Sequence, residues 1–107
     1  MFKNLLKETI RALINNGKSV DDVLFVTDKH CWCTWKEFSE KADFNYDGGF
    51  GAVEINDTLY IVGNNWWLER WEYDGSEGWD FKTIIEKPKE KGIPLISQRE
   101  KRDYYNY

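Results

Sequence analysis

At 107 residues with six tryptophans and a formal net charge of −4, the chain has the length of one domain, able to bury a single core without an obligatory disulfide or metal. No run of about 18 apolar residues occurs, and the opening "MFKNLLKETIRALINNG" interleaves Lys3, Lys7, Glu8 and Arg11 with its apolar positions, which excludes a membrane span or secretory signal there and makes the expected compartment cytoplasmic. From Asp43 to Asp80 nine acids stand against Arg70 alone, a local charge of −8, whereas 86–107 is +2; this excludes the basic face of a direct nucleic-acid binder and points to a basic partner.

In chain order, Phe2, Leu5, Leu6, Ile10, Leu13 and Ile14 recur at spacings of three and four and predict an N-terminal amphipathic helix. Asn16-Gly17 supplies its stop, and Glu8 falls on its exposed side. Val23 to Val26 predicts a short buried strand, with a second strand starting near Cys31 after a turn at Asp28-Lys29. Thr34 and Glu37 stand in the S/T-x-x-E relation of a capping box, predicting a short helix from Trp35 to about Ala42 with Trp35 and Phe38 toward the core. His30, Cys31 and Cys33 form a cluster of soft ligands, but a zinc site takes about four and the chain has no other Cys or His. The two cysteines, two residues apart, also make a poor disulfide. A Cys/His nucleophile pair is equally poor, because Cys31 and Cys33 share one face of a strand and His30 points to the other. Neither a metal nor another cofactor is expected.

From Gly51 onward the pattern becomes short strands separated by turn dipeptides: 52–55, a turn at Asn56-Asp57, 59–62, a turn at Asn64-Asn65, 66–73, a turn through Asp74-Gly75, and 79–85. The fold class is therefore α+β: the N-terminal helix and one short helix packed on an antiparallel meander of four to five strands. Residues 1–85 make the domain, and 86–107 a charged tail, either mobile or docked through Ile93, Leu95 and Ile96 as an added strand. The Asn64-Asn65 turn sets Val62 against Trp67 and Tyr60 against Glu69. A three-residue loop 74–76 sets Trp71 against Trp79 and Glu69 against Phe81, gathering Trp67, Trp71, Trp79 and Phe81 on one core face. Trp66, on the other side with Arg70 and Glu72, reads either as core or as a surface contact. Both sheet faces come out apolar, so the second needs a cover: the tail, a second copy in a homodimer, or a partner.

"FNYDGGFG" at 44–51 echoes "WEYDGSEG" at 71–78, either as a turn dipeptide used twice or as two acidic, tyrosine-bearing turns at one rim of the sheet. Neither is a phosphate loop. Glu69 is the odd acid among indoles and a candidate general acid. The acidic, aromatic rim supports a different reading: Asp47, Glu72, Asp74 and Glu77 standing in for phosphates toward a Lys/Arg-lined groove, with Tyr46, Trp66, Arg70 and Tyr73 completing the contact. A small acid/base enzyme using Glu69, or a sponge for a nucleotide-like signal holding phosphate with Arg70 or Lys82, are the alternatives.

"GNNWWLERWEYDGSEGWDFK", 63–82, resembles a family of small proteins encoded by phages and mobile elements of Gram-positive bacteria. Their pattern is G-[DN]-x-W-W-L-E-R-x-E-Y-D-G-S-E-x-W-x-F-K, preceded by a D-x-G-[FY]-G segment like 47–51 here. The chain departs at Trp71, where the family often has His, and at Gly78, where another aromatic is common. The resemblance implies a small inhibitor of bacterial host defence, of which anti-CRISPR proteins are one kind. The expectation is a non-enzymatic protein that binds a bacterial defence protein, such as a CRISPR effector, by its nucleic-acid groove.

Overall fold

The structure, a computed structural model, describes residues 2–48 and 51–101. A short strand, β1 (Phe2–Asn4), leads directly into helix α1 (Leu5–Asn15). The Asn4 side chain accepts from the Lys7 N–H at 3.0 Å, satisfying one of the amides that a helix start leaves unpaired. The helix thus begins three residues later than its periodicity predicts, because Phe2 is drawn into strand pairing and stays exposed. Leu5, Thr9 and Leu13 form its buried stripe, while Ile14 is exposed.

A 3-10 turn (Val20–Asp22) precedes β2 (Val23–Thr27) and β3 (Trp32–Cys33), and helix α2 (Trp35–Lys41) follows. Its start is the expected capping box. Thr34 Oγ1 accepts from the Glu37 N–H at 3.1 Å, and the Glu37 carboxylate accepts from the Thr34 N–H at 3.0 Å. The same backbone hydrogen bond holds the Glu37 carboxyl below its ordinary range. The remaining strands are β4 (Asn45–Asp47), β5 (Tyr60–Gly63), β6 (Trp66–Tyr73) and β7 (Ser76–Thr83). They make an α+β fold in which an antiparallel sheet runs β3-β2-β5-β6-β7, and β1 pairs β4 in a separate antiparallel ribbon.

Two expectations about the sheet are corrected. Residues 52–55 form no strand; the Glu54 and Ile55 amides donate instead to the Glu77 carboxylate, at 2.9 and 3.2 Å. The ladder position beside β5 goes to β2. The last hairpin also closes through a two-residue turn, because Asp74 and Gly75 both adopt positive φ, 51° and 86°, the geometry that matches strand twist in tight hairpins. Tyr73 therefore pairs with Ser76, Arg70 with Trp79 and Leu68 with Phe81. Relative to a three-residue loop this moves β7 by one residue, which sends Trp79 and Phe81 to the opposite face from Trp67 and Trp71. The Asn64-Asn65 turn behaves as read, with Val62 against Trp67 and Tyr60 against Glu69.

Both helices lie on the inner face. Leu5, Leu13, Val26, Phe38, Ile61, Trp66 and Leu68 build one core there. The Trp66 indole folds back over Gly63, where an added Cβ would fall 2.0 Å from the ring. Residues 84–101 contain no helix or strand and are exposed throughout, including Ile93, Leu95 and Ile96; residues 102–107 lie outside the described residues. No described helix is long and apolar enough to cross a membrane.

Candidate functional site

The predicted contact residues divide into two sets. Tyr46, Trp66, Arg70 and Glu77 are interior, with Trp66 4% exposed. Arg70 projects from the inner face of β6, and its Nη2 donates to Glu77 Oε1 and to the Tyr46 hydroxyl, each at 3.1 Å. Its Nη1 lies 3.7 Å from Glu8 Oε1. The Trp79 ring stands 4.7 Å from the guanidinium carbon, a cation–π contact strengthened by exclusion of water. The Tyr46 hydroxyl donates to Glu8. Burial first, and that carboxylate second, push the Tyr46 phenol up to about 12. Lys3 completes the cluster, donating to the Glu77 carbonyl at 2.9 Å and lying 3.5 Å from the Glu8 carboxylate.

Glu8, expected on the exposed side of its helix, is thus an inward ion-pair partner. With the Arg70 and Glu77 side chains 2% and 1% exposed, the cluster clamps β1, α1, β4, β6, β7 and residues 54–55 together. Trp79 adds a tie to α1 by donating to Thr9 Oγ1 at 2.9 Å. Trp66, Leu68, Arg70, Glu77, Trp79 and Phe81 all lie on the inner face of one hairpin, so these six residues specify how that hairpin packs.

The other set lies at the hairpin tip. Glu72, Tyr73 and Asp74 are exposed, Tyr73 at 78%, and Glu72 accepts from the Gly75 N–H at 3.0 Å. Asp47 is half-buried in β4. The two echoed segments do meet, since the Glu77 N–H donates to Gly48 O at 3.2 Å. They are not equivalent, because Tyr46 is buried and Tyr73 exposed; Gly49 and Phe50 lie outside the described residues.

The outer face of the sheet carries neither helix. Phe25, Thr27, Tyr60, Val62, Trp67 and Glu69 line a shallow concavity of about 430 Å³. A second, of about 410 Å³, shares Phe25 and Thr27 and ends at Trp32 and Leu24. Phe25 and Trp32 meet edge to face with centroids 6.4 Å apart. Trp67 Nε1 donates to Glu69 Oε1 at 2.8 Å. Further across, Trp71, 41% exposed, lies flat over Gly78, where a Cβ would come 3.0 Å from the ring, and donates to the Trp79 carbonyl at 3.2 Å. Trp71 and Gly78 are direct cross-strand partners, so the glycine leaves room for the indole across the hairpin.

Sequence reasoning found Tyr60, Val62, Trp67 and Glu69 together but missed Phe25 and Trp32. The signal available was parity, since Val26 and Cys33 face inward as a pair and their neighbours must face outward.

Asp28 Oδ1 accepts from the His30 and Cys31 amides at 2.7 and 2.9 Å, building the turn between β2 and β3; the Cys31 bond, then the His30 bond, holds the Asp28 carboxyl low. Burial, then Glu37, pushes the Cys33 thiol up, away from thiolate. Among the described residues no group of three or more His, Cys, Asp or Glu side chains could hold a metal. Comparison with protein-family models, curated proteins and solved structures gives no match for this chain.

Proposed function

We propose that this chain is a non-enzymatic binding protein of the phage-encoded inhibitor kind, engaging a bacterial defence protein through the outer face of its sheet and the acidic tip of its last hairpin. The observation that carries the reading is the aromatic strip of Trp32, Phe25, Tyr60, Trp67 and Trp71 on the sheet face opposite both helices. Large contiguous apolar faces are uncommon on proteins that act alone, and rigid aromatics are the usual anchors of interfaces. Glu72 and Asp74, exposed at the tip of the hairpin that carries Trp67 and Trp71, favour a basic partner, such as the Lys/Arg-lined nucleic-acid groove of a CRISPR effector. The earlier phosphate-mimic set shrinks accordingly, because Glu77 is spent on the clamp. The sponge alternative loses Arg70 to the interior, and Lys82 is already 3.3 Å from Asp80.

The test is capture of host proteins by the tagged chain, then affinity of the captured partner for two double variants. Trp32→Ala with Trp71→Ala should weaken binding at least about tenfold, the scale of one anchor residue. Glu72→Lys with Asp74→Lys should flatten the loss of affinity between about 0.05 and 0.5 M salt. Full affinity in the tryptophan double variant, with its fold intact, would remove the outer face as the interface.

A further inference from the structure

We infer that the concavity over Glu69 is a receptor for a single arginine or lysine side chain of the partner. This rests on the proposed use of the outer face and adds the chemistry of its centre. The concavity is walled by Phe25, Tyr60, Val62 and Trp67 and has one carboxylate in it, that of Glu69. Glu69 is oriented rather than loose, since the Trp67 indole N–H holds Oε1 at 2.8 Å. Across the strands Glu69 stands directly opposite Asp80, and like charges facing each other on one side of a sheet repel. Lys82 neutralises only Asp80, at 3.3 Å; Glu69 has no cationic partner among the described residues. The surface is therefore one positive charge short at a place where indole and phenol faces surround the deficit.

A guanidinium or ammonium group entering there meets a carboxylate and aromatic faces together, the combination that binds organic cations with partial exclusion of water. A phosphate or carboxylate ligand would meet only repulsion. Arginine fits better than lysine because its planar group can stack on Trp67 while pairing with Glu69.

The experiment is a titration of the ¹⁵N-labelled chain with a hexa-arginine peptide and with a hexa-citrulline peptide, which keeps the shape and removes the charge. The indole N–H signal of Trp67, assigned through Trp67→Phe, should move saturably with arginine and stay in place with citrulline. Glu69→Gln keeps an acceptor for Trp67 and removes the charge, and it should weaken the arginine response at least tenfold. Glu40→Gln, exposed on the helix that packs on the opposite side of the sheet, should leave the Trp67 response within twofold. An equal response to citrulline, or an unchanged affinity in Glu69→Gln, overturns the receptor. The two readings fail separately: a captured partner that is lost by Trp32→Ala with Trp71→Ala but held fully by Glu69→Gln keeps the face and removes the cation site.

Discussion

Arg70 is the residue on which the most neighbours depend. Replacing it with methionine keeps much of the volume but leaves the Glu77 carboxylate buried without a cation, and breaking a buried pair from one side costs about 3–5 kcal/mol. Arg70→Met should lower the unfolding free energy, measured by urea denaturation, by that amount, while adding Glu77→Gln, whose single carbonyl oxygen can still accept from one of the Glu54 and Ile55 amides, should recover part of it. Tyr46 gives the cluster a pH dependence. Its phenol is raised from 10 to about 12 in the folded chain, so the unfolded chain deprotonates first as pH rises. The stabilisation is complete below about pH 10 and is lost between there and pH 12. Tyr46→Phe should be less stable at neutral pH, where Glu8 loses a donor, yet should show a shallower decline from pH 10 to 12 in denaturation midpoints. An equal decline in both proteins would place the alkaline sensitivity elsewhere.

At the scale of elements, the last hairpin depends on its turn. Gly75 sits at φ 86°, where a side chain costs about 1–2 kcal/mol, so Gly75→Ala should lower stability by that much with the β6–β7 register kept. The capping box at Thr34, the stop after α1 and the register across Asn64-Asn65 were legible because each is decided by residues within a few positions of one another. What was not legible depended on distant partners or on one local choice. Two- and three-residue loops at Asp74-Gly75 both suit the dipeptide, and only the packed outcome selects between them. In the shorter loop Trp79 covers Arg70 and Phe81 stacks on Trp66 at 5.8 Å. Residues 52–55 look like a strand because their alternation is right. No sequence window shows that a carboxylate 22 and 23 positions away takes their amides. Glu8 reads as exposed from its helix alone for the same reason, since its partners Tyr46 and Arg70 come from other elements.

Across the whole molecule, the sheet divides the tryptophans into those that hold the fold and those that face outward, and the segment 84–101 adds no buried side chain to either. Ile93→Ser, Leu95→Ser and Ile96→Ser together should leave the melting temperature unchanged within about 1 °C, since surface substitutions away from packed features stay within about 0.5 kcal/mol; a drop of several degrees would mean that these side chains dock in solution. The two-residue turn also bears on the order of assembly. β6 and β7 close through two residues, as β5 and β6 do, and bring Arg70 to Glu77 across only seven positions. β2 must find β5 over some 35 residues, and β1 must find β4 over more than 40. Loop-closure entropy places the last hairpin early and the N-terminal ribbon late. Residues 54–55, bound to a carboxylate rather than to a ladder, cannot settle until Glu77 is already in place, so the nascent sheet carries its own anchor for the segment that precedes it.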